Sequence, residues 1–504
     1  MNIKTRAVAI KMMAIIVFVS LVGLLVACNK NNQRNEVWVY VITKSDTPLH
    51  KQSIEMAEAF NKMQEEAGDK GPKVVIKNFA AVGDAEKAVS LETPMGIGPD
   101  LYYHFANEAM GYIKSGKVLR LDNEGDSSKT DKFDLKELID RTGGTKDGAG
   151  DYSNLDNLTS SSLAEAMSQP GREGELWSLP LHESGPVQYF NKVIFDEVGL
   201  PLPTSWAELE RAGKIIKKEL DIPTFHASTR VELIQQLVIQ SGSDYIINSG
   251  DKFKTNFDKA VLKNVLEFYQ RGVAEGWIVD SMEGGVYASD LLMQGKIASY
   301  SGSNSHDTTM PPSKEDEHGQ VVFEKVVAQN LQGGIVAGGH GGSLDEFITD
   351  ENDEFITDEN GDKIENPDYN PEAHEWAPEY NRQMIIFKSN SERERVSLKF
   401  AKYFINAQNS AIWAAANTVN SPYVDARKEQ VYIDAFEKSY AMQVAQAART
   451  YSTNIPLTIL GGLKEVRDAI SNAFKTILSD DEPSIDEVIN NMIEDADRAL
   501  GSVL

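Results

Sequence analysis

The chain has 504 residues and carries 76 Asp and Glu against 50 Lys and Arg, a formal net charge of −26 at neutral pH. That length exceeds one ordinary domain and can bury two sizeable cores. The negative balance argues against nucleic acid or an anionic membrane surface as a partner, and a single cysteine makes a disulfide framework impossible.

In chain order, Lys4, Arg6 and Lys11 precede an apolar run, Met12 to Val26, too short to read as a membrane span. The run ends in Leu25-Val26-Ala27-Cys28, which resembles a bacterial lipobox. The resemblance implies a signal peptide over 1–27, lipidation of Cys28 and a polar tether over 28–35. Two or more acyl chains there would hold the body on a membrane. Next come a β-rich run at Glu36 to Ile42, an amphipathic helix from His50 to Glu66, a strand at Lys73 to Phe79 and a helix at Asp84 to Leu91. They lead to Gly98-Pro99-Asp100-Leu101-Tyr102-Tyr103. Strand, helix, strand, helix, strand predicts a mostly parallel sheet flanked by helices.

From Gly174 to Trp206 two short strands, Leu176–Pro180 and Val187–Phe190, flank a polar elbow, His182 to Pro186. A short helix stopped at Gly199 follows, and then a helix capped at Thr204 or Ser205. Pro180 and Pro186 keep the elbow out of a continuous ladder. With Gly174, Pro180, Tyr189, Asn191, Lys192, Gly199, Pro203, Thr204 and Trp206 in register, this passage resembles the first inter-lobe crossover of extracellular solute-binding proteins, the carbohydrate-binding branch of ABC importers. The family's pattern also appears at Gly98-Pro99-Asp100, at Gly116, Leu119, Leu121 and Asp122, and over Met384 to Phe404. The resemblance implies an α/β, two-lobe periplasmic-binding-protein-like fold of type II. Lobe 1 would take residues 36–183 and 321–415, and lobe 2 residues 184–320 and 416–504. The crossovers would fall near Ser184, Val321 to Val327 and Asn417 to Pro422.

Helical periodicity continues over Val231 to Gln240, Asp258 to Glu275 and Ser484 to Leu500. The glycine-rich stretch Gly333 to Gly342 either lets backbone approach a ligand or serves as a linker. An acidic insertion, 344–380, carries the octapeptide DEFITDEN twice, at 345–352 and 353–360. The second copy predicts a hairpin, Glu354 to Thr357 and Asp362 to Glu365, turning through Asp358-Glu359-Asn360-Gly361. Its clustered oxygens are an alternative Ca²⁺ site, although the spacing is not that of an EF-hand.

No catalytic signature stands in the chain: no nucleophile elbow, phosphate loop, dinucleotide fingerprint or paired zinc histidines. No cofactor or metal is expected. A sugar cleft needs aromatic faces and planar polar groups. The resemblance places such groups at His104, Asn107 and Glu108 in the first lobe, Ser184 at the hinge floor, and Arg230, Glu232 and Asn304 in the second lobe. The Gly338-Gly339-His340-Gly341 backbone would close the rim. His104, Asn304 and Leu463 stand where maltodextrin binders carry tryptophans, which turns the expectation away from maltodextrin. The function implied is a monomeric, lipid-anchored receptor that delivers a sugar to an ABC permease. The alternatives are a binder of a phosphorylated polyol such as glycerol-3-phosphate, an extracellular polysaccharide-acting enzyme and a sensor partner.

Overall fold

The computed structural model describes residues 34–122, 132–142, 161–167, 172, 174–226, 230–248, 253–280, 287–348, 355–358, 361–373, 381–448, 463–479 and 484–501. Cys28 and its apolar leader lie outside the described residues. Among these, no helix is long and apolar enough to cross a membrane.

The strands that position the site are, in chain order, β1 (Glu36–Ile42), β2 (Lys73–Phe79), β3 (Leu101–His104), β4 (Leu179–His182), β5 (Pro186–Asn191) and β6 (Phe225–His226). They continue with β7 (Ile278–Val279), β8 (Ser299–Ser303), β9 (Ser313–Glu315), β10 (Val321–Ala328) and β11 (Arg382–Ile386). One sheet has the order β2-β1-β3-β11-β4, and the other β9-β10-β5-β8-β6-β7.

Strand β1 shows why the first sheet needs cover on both faces. Val37, Val39 and Val41 enter one apolar core with Phe60 and Phe400, while Trp38, Tyr40 and Ile42 enter another with Val89 and Tyr102. Successive side chains point to opposite faces, so a strand apolar from Val37 to Ile42 demands two cores. The helix Pro48–Glu66 covers one face. Its Thr47 hydroxyl accepts the His50 N–H at 3.2 Å, and Pro48 at its start needs no hydrogen-bond partner. Asp100 of the Gly-Pro-Asp motif is buried. It accepts the Trp38 N–H at 2.9 Å and pairs with Arg34, and Arg393 approaches within 3.5 Å. Its role is structural.

Besides the antiparallel edge pair β9 and β10, β11 in the first sheet and β5 in the second run against the strands on both sides of them. Each of these two is the first strand after the chain has changed sheets. A chain arriving from the other lobe enters a sheet from the end that faces that lobe, so its first strand must be reversed. The first crossover is tied to the first lobe by Glu183 and Asn420, whose N–H and C=O groups exchange two hydrogen bonds of 2.8 Å.

Three expected boundaries move. Val321 to Val327 does not return to the first lobe: β10 pairs with β5, Val326 opposite Phe190 and Val327 opposite Tyr189. The insertion also sits on the second lobe, where Asn370 donates to the Gly333 carbonyl at 3.0 Å and Arg211 pairs with Asp368. Nor does the chain leave the first lobe at 416, because Val419, Tyr423, Ala426 and Tyr432 fill the first core. Ala441, Val444 and Ala445 then join a core of the second lobe. The helices Leu463–Ile477 and Ile485–Gly501 complete that lobe.

Candidate functional site

The ends of β3 and β11 that face the second lobe carry a polar wall. His104, the last residue of β3, is 1 % exposed. Its Nδ1 accepts the Phe105 N–H at 2.8 Å, so the ring proton sits on Nε2, which lies 3.7 Å from Glu86 and makes no hydrogen bond. Burial, then the positive charges of Arg382 and Arg467, hold this imidazole well below the usual histidine range. Arg382 opens β11 opposite His182, and the ladder shifts register between Arg382 and Gln383. Its guanidinium lies 3.9 Å over the Phe105 ring. Burial lowers its pKa to about 10 against the pull of Tyr102 and Glu108. Arg382 Nη1 and the Tyr102 hydroxyl are both enclosed without a hydrogen-bond partner.

The facing ends in the second lobe are polar too. Arg230, the first residue of the helix Arg230–Gln240, binds Asp280 with two guanidinium nitrogens, Nε at 2.6 Å, and Tyr269 also donates to that carboxylate. Glu232, one half-turn on, pairs with Arg467 of the C-terminal region. Gln188 in β5 and His226 at the end of β6 are buried and leave their side-chain nitrogens and oxygens without protein partners, as does Asn330 Nδ2 just after β10. Enclosed polar groups cost free energy unless something satisfies them. Their recurrence near two facing sheet ends makes these ends the candidate site. The lobes touch at the mouth, where Lys44 Nζ lies 3.5 Å from the Tyr287 ring centroid. A hollow lined by Asn35, Asn61, Asp69 and Lys73 lies instead at the opposite ends of β1 and β2.

Residues 52–411 match the family model of the bacterial extracellular solute-binding proteins. The chain belongs to that family. Its members are substrate-binding proteins of ABC importers, which are extracytoplasmic, and are not enzymes. No curated protein sequence matches the chain. Among solved structures, the solute-binding protein is similar to the GacH receptor of Streptomyces glaucescens, solved unliganded and with acarbose, at 14 % identity and a TM-score of 0.65, covering 92 % of this chain and 98 % of that one. It is also similar to UgpB of Mycobacterium tuberculosis in complex with glycerophosphocholine, at 15 % identity and a TM-score of 0.62, covering 93 % and 98 %. A third is a substrate-binding protein of Listeria monocytogenes in complex with cycloalternan, at 15 % and 0.62, covering 92 % and 99 %. At such identity the likeness is one of fold, and the two-lobe fold expected of the sequence is the one observed.

Within this solute-binding protein, the charges of Glu108 and Glu232 act on Arg382, and that of Arg382 acts on His104. Arg230 stands at the same end of the second sheet, held by Asp280. Asn107 lies in the short helical turn Ala106–Ala109. Ser184 is buried at the crossover. Asn304 is also there, but its amide is already used: Oδ1 accepts the Gly185 N–H at 3.1 Å and Nδ2 donates to the Thr418 carbonyl at 2.6 Å. It clasps the first crossover to residue 418, which uses one of the two Nδ2 N–H donors.

Gly339 and His340 are not at the mouth. The Gly339 carbonyl accepts from Arg271, and His340 Nδ1 lies 3.2 Å from Glu210. Burial alone would raise the Glu210 pKa, but Lys214, the Gly341 N–H and Arg271 bring it to about 2. A Cβ on Gly341 would stand 2.3 Å from the Trp206 backbone, so glycine here serves close packing against the helix Trp206–Leu220. Arg382, Arg467, Gln188 and His226 were not singled out in the sequence. No local pattern marks them, because only the fold puts residue 467 beside residue 232.

Proposed function

We propose that this solute-binding protein captures an uncharged oligosaccharide between its lobes and delivers it to an ABC permease, held at the membrane by lipid on Cys28. The observation that carries this reading is the balance of charge around the enclosed polar atoms. Arg467 pairs with Glu232 and Arg230 with Asp280, and the charge of Glu108 acts on Arg382 without an ion pair. Sugar hydroxyls both donate and accept, so they can serve carboxylates and guanidinium groups together. A phosphate dianion would meet carboxylates as well as arginines and lose much of what it gained. Loss of the tryptophan platforms at His104 and Asn304 fits a ligand gripped by hydrogen bonds rather than by stacking.

The test is a thermal-shift comparison of acarbose, maltotriose, cycloalternan, glycerophosphocholine and glycerol 3-phosphate. A ligand at a hundred times its Kd stabilises the folded chain by about 2.7 kcal/mol. Stabilisation by a neutral saccharide is expected; stabilisation by glycerol 3-phosphate alone would overturn the reading. The anchor is checked separately by the mass of the mature N-terminal peptide, where an unmodified Cys28 would exclude it.

A further inference from the structure

We propose that Arg382 is the residue that orients the ligand on the first lobe, through the N–H groups of Nη1. The inference rests on reading the cleft as the ligand site, and four observations about Arg382 itself carry it.

Arg382 is half-buried with its Nη1 enclosed, yet it has no ion-pair partner among the described residues, and Nη1 makes no hydrogen bond. Every neighbouring arginine of the site is held: Arg230 by Asp280 and Arg467 by Glu232. Buried guanidinium groups are ordinarily paired because desolvation is expensive. The position is also fixed. Arg382 is the first residue of β11, between the registers of His104 and His182, and the irregular step to Gln383 re-aims its side chain at the strand end, as bulges beside functional sites do. The Phe105 ring supports the guanidinium from one side at 3.9 Å, which limits its rotation and pre-pays the entropy of orienting it. Finally, Tyr102 Oη and His104 Nε2 are enclosed and unbonded on the neighbouring strand. Three separate side chains therefore present polar atoms at one strand end. A planar donor fork beside a hydroxyl and an imidazole N–H suits vicinal hydroxyls of a pyranose ring.

A structural arginine and a ligand-holding one behave oppositely when the protein is empty. A group kept unsatisfied for a ligand lowers the stability of the empty protein, so removing it should stabilise. The experiment compares full-length wild type with Arg382→Met and Arg382→Gln. Without sugar, Arg382→Met is expected to melt about 2 °C or more above wild type. A lower melting temperature in both variants, or failure of both to fold, would overturn the proposal, since Arg382 would then be structural. With acarbose or maltotriose as the titrated probe, a sugar that binds wild type should bind Arg382→Met about tenfold to a hundredfold more weakly. Equal affinity would overturn it. If neither sugar binds wild type, the oligosaccharide reading loses its support, and the melting comparison still decides the role of Arg382.

Discussion

His182 and His104 end two strands on either side of β11, and both are buried as neutral rings. Burial, helped by Arg382, carries the His182 pKa down to about 3, and the Trp413 indole N–H donates to its Nδ1 at 3.2 Å. In the unfolded chain a histidine titrates near 6.5. The folded state therefore binds fewer protons between those values. The stability linked to His182 is complete above about pH 6.5 and is lost progressively as the pH falls toward 3, at about 1.4 kcal/mol per pH unit at the steepest. His104 acts in the same direction. Urea unfolding should thus show stability dropping steeply below about pH 6. His182→Asn keeps an acceptor for the indole N–H and removes one titrating group, so it should flatten that slope by about 1.4 kcal/mol per pH unit. An unchanged slope would mean that His182 is protonated in the folded protein.

Among the elements, the acidic insertion shows what repetition in a sequence does and does not reveal. The hairpin expected of the second octapeptide is present: Thr357 bridges Lys363, and Gly361 adopts φ +86° in the turn. The first copy joins it. Ile348, Ile356 and Ile364 form a closed ring of backbone hydrogen bonds, in which Ile348 N–H donates to Ile364, Ile364 N–H to Ile356 and Ile356 N–H to Ile348, at 2.9 to 3.0 Å. The eight-residue spacing extends to a third, degenerate copy, in which Lys363 takes the place of Phe347 and Phe355 and lies 3.3 Å from the Phe355 ring centroid. Deleting residues 353–360 removes one member of the ring. The insert reaches the body through Ser343, Asp368 and Asn370, so the deletion should lower the melting temperature by less than about 2 °C. Sugar affinity should not change; a loss of binding would put the insert in the cleft. No group of three or more metal-ligating side chains occurs among the described residues. Element types were legible because periodicity is local, and the two-lobe fold was legible through the resemblance of the crossover motif to the solute-binding family. The placement of Val321–Ala328 was not, since a half-buried strand looks the same whichever sheet receives it. The site was legible only in part. His104, Glu108 and Glu232 lie on motifs at strand and helix ends, whereas Arg382 and Arg467 become site residues only through long-range packing.

For the whole molecule, the crossovers decide which motions are cheap. The two sheets have separate cores, and the first passage between them, Glu183 to Gly185, is clasped by hydrogen bonds with Asn420 of the first lobe and Asn304 of the second, the latter also bonded to Thr418. Rotation about such a clasp changes a few backbone angles and leaves both cores packed, whereas sliding one sheet on the other would not. The contact between Lys44 and Tyr287 lies across the mouth, away from the clasp, so it exists only while the lobes are together. Tyr287 is 44 % exposed, and a cation–π contact at such a site is worth about 0.5 to 1 kcal/mol. Ligand and contact both favour the closed state, so they must strengthen one another. Replacing Tyr287 by Ala should weaken the binding of a saccharide about twofold to fivefold, the same free energy expressed as affinity. The melting temperature of the empty protein should stay within about 1 °C, because neither core loses a side chain. Small-angle scattering should show compaction of wild type on adding that saccharide, and at equal subsaturating sugar the Tyr287→Ala variant should be less compact. Undiminished affinity, with identical scattering curves for the two proteins, would show that the Lys44–Tyr287 contact has no part in closure.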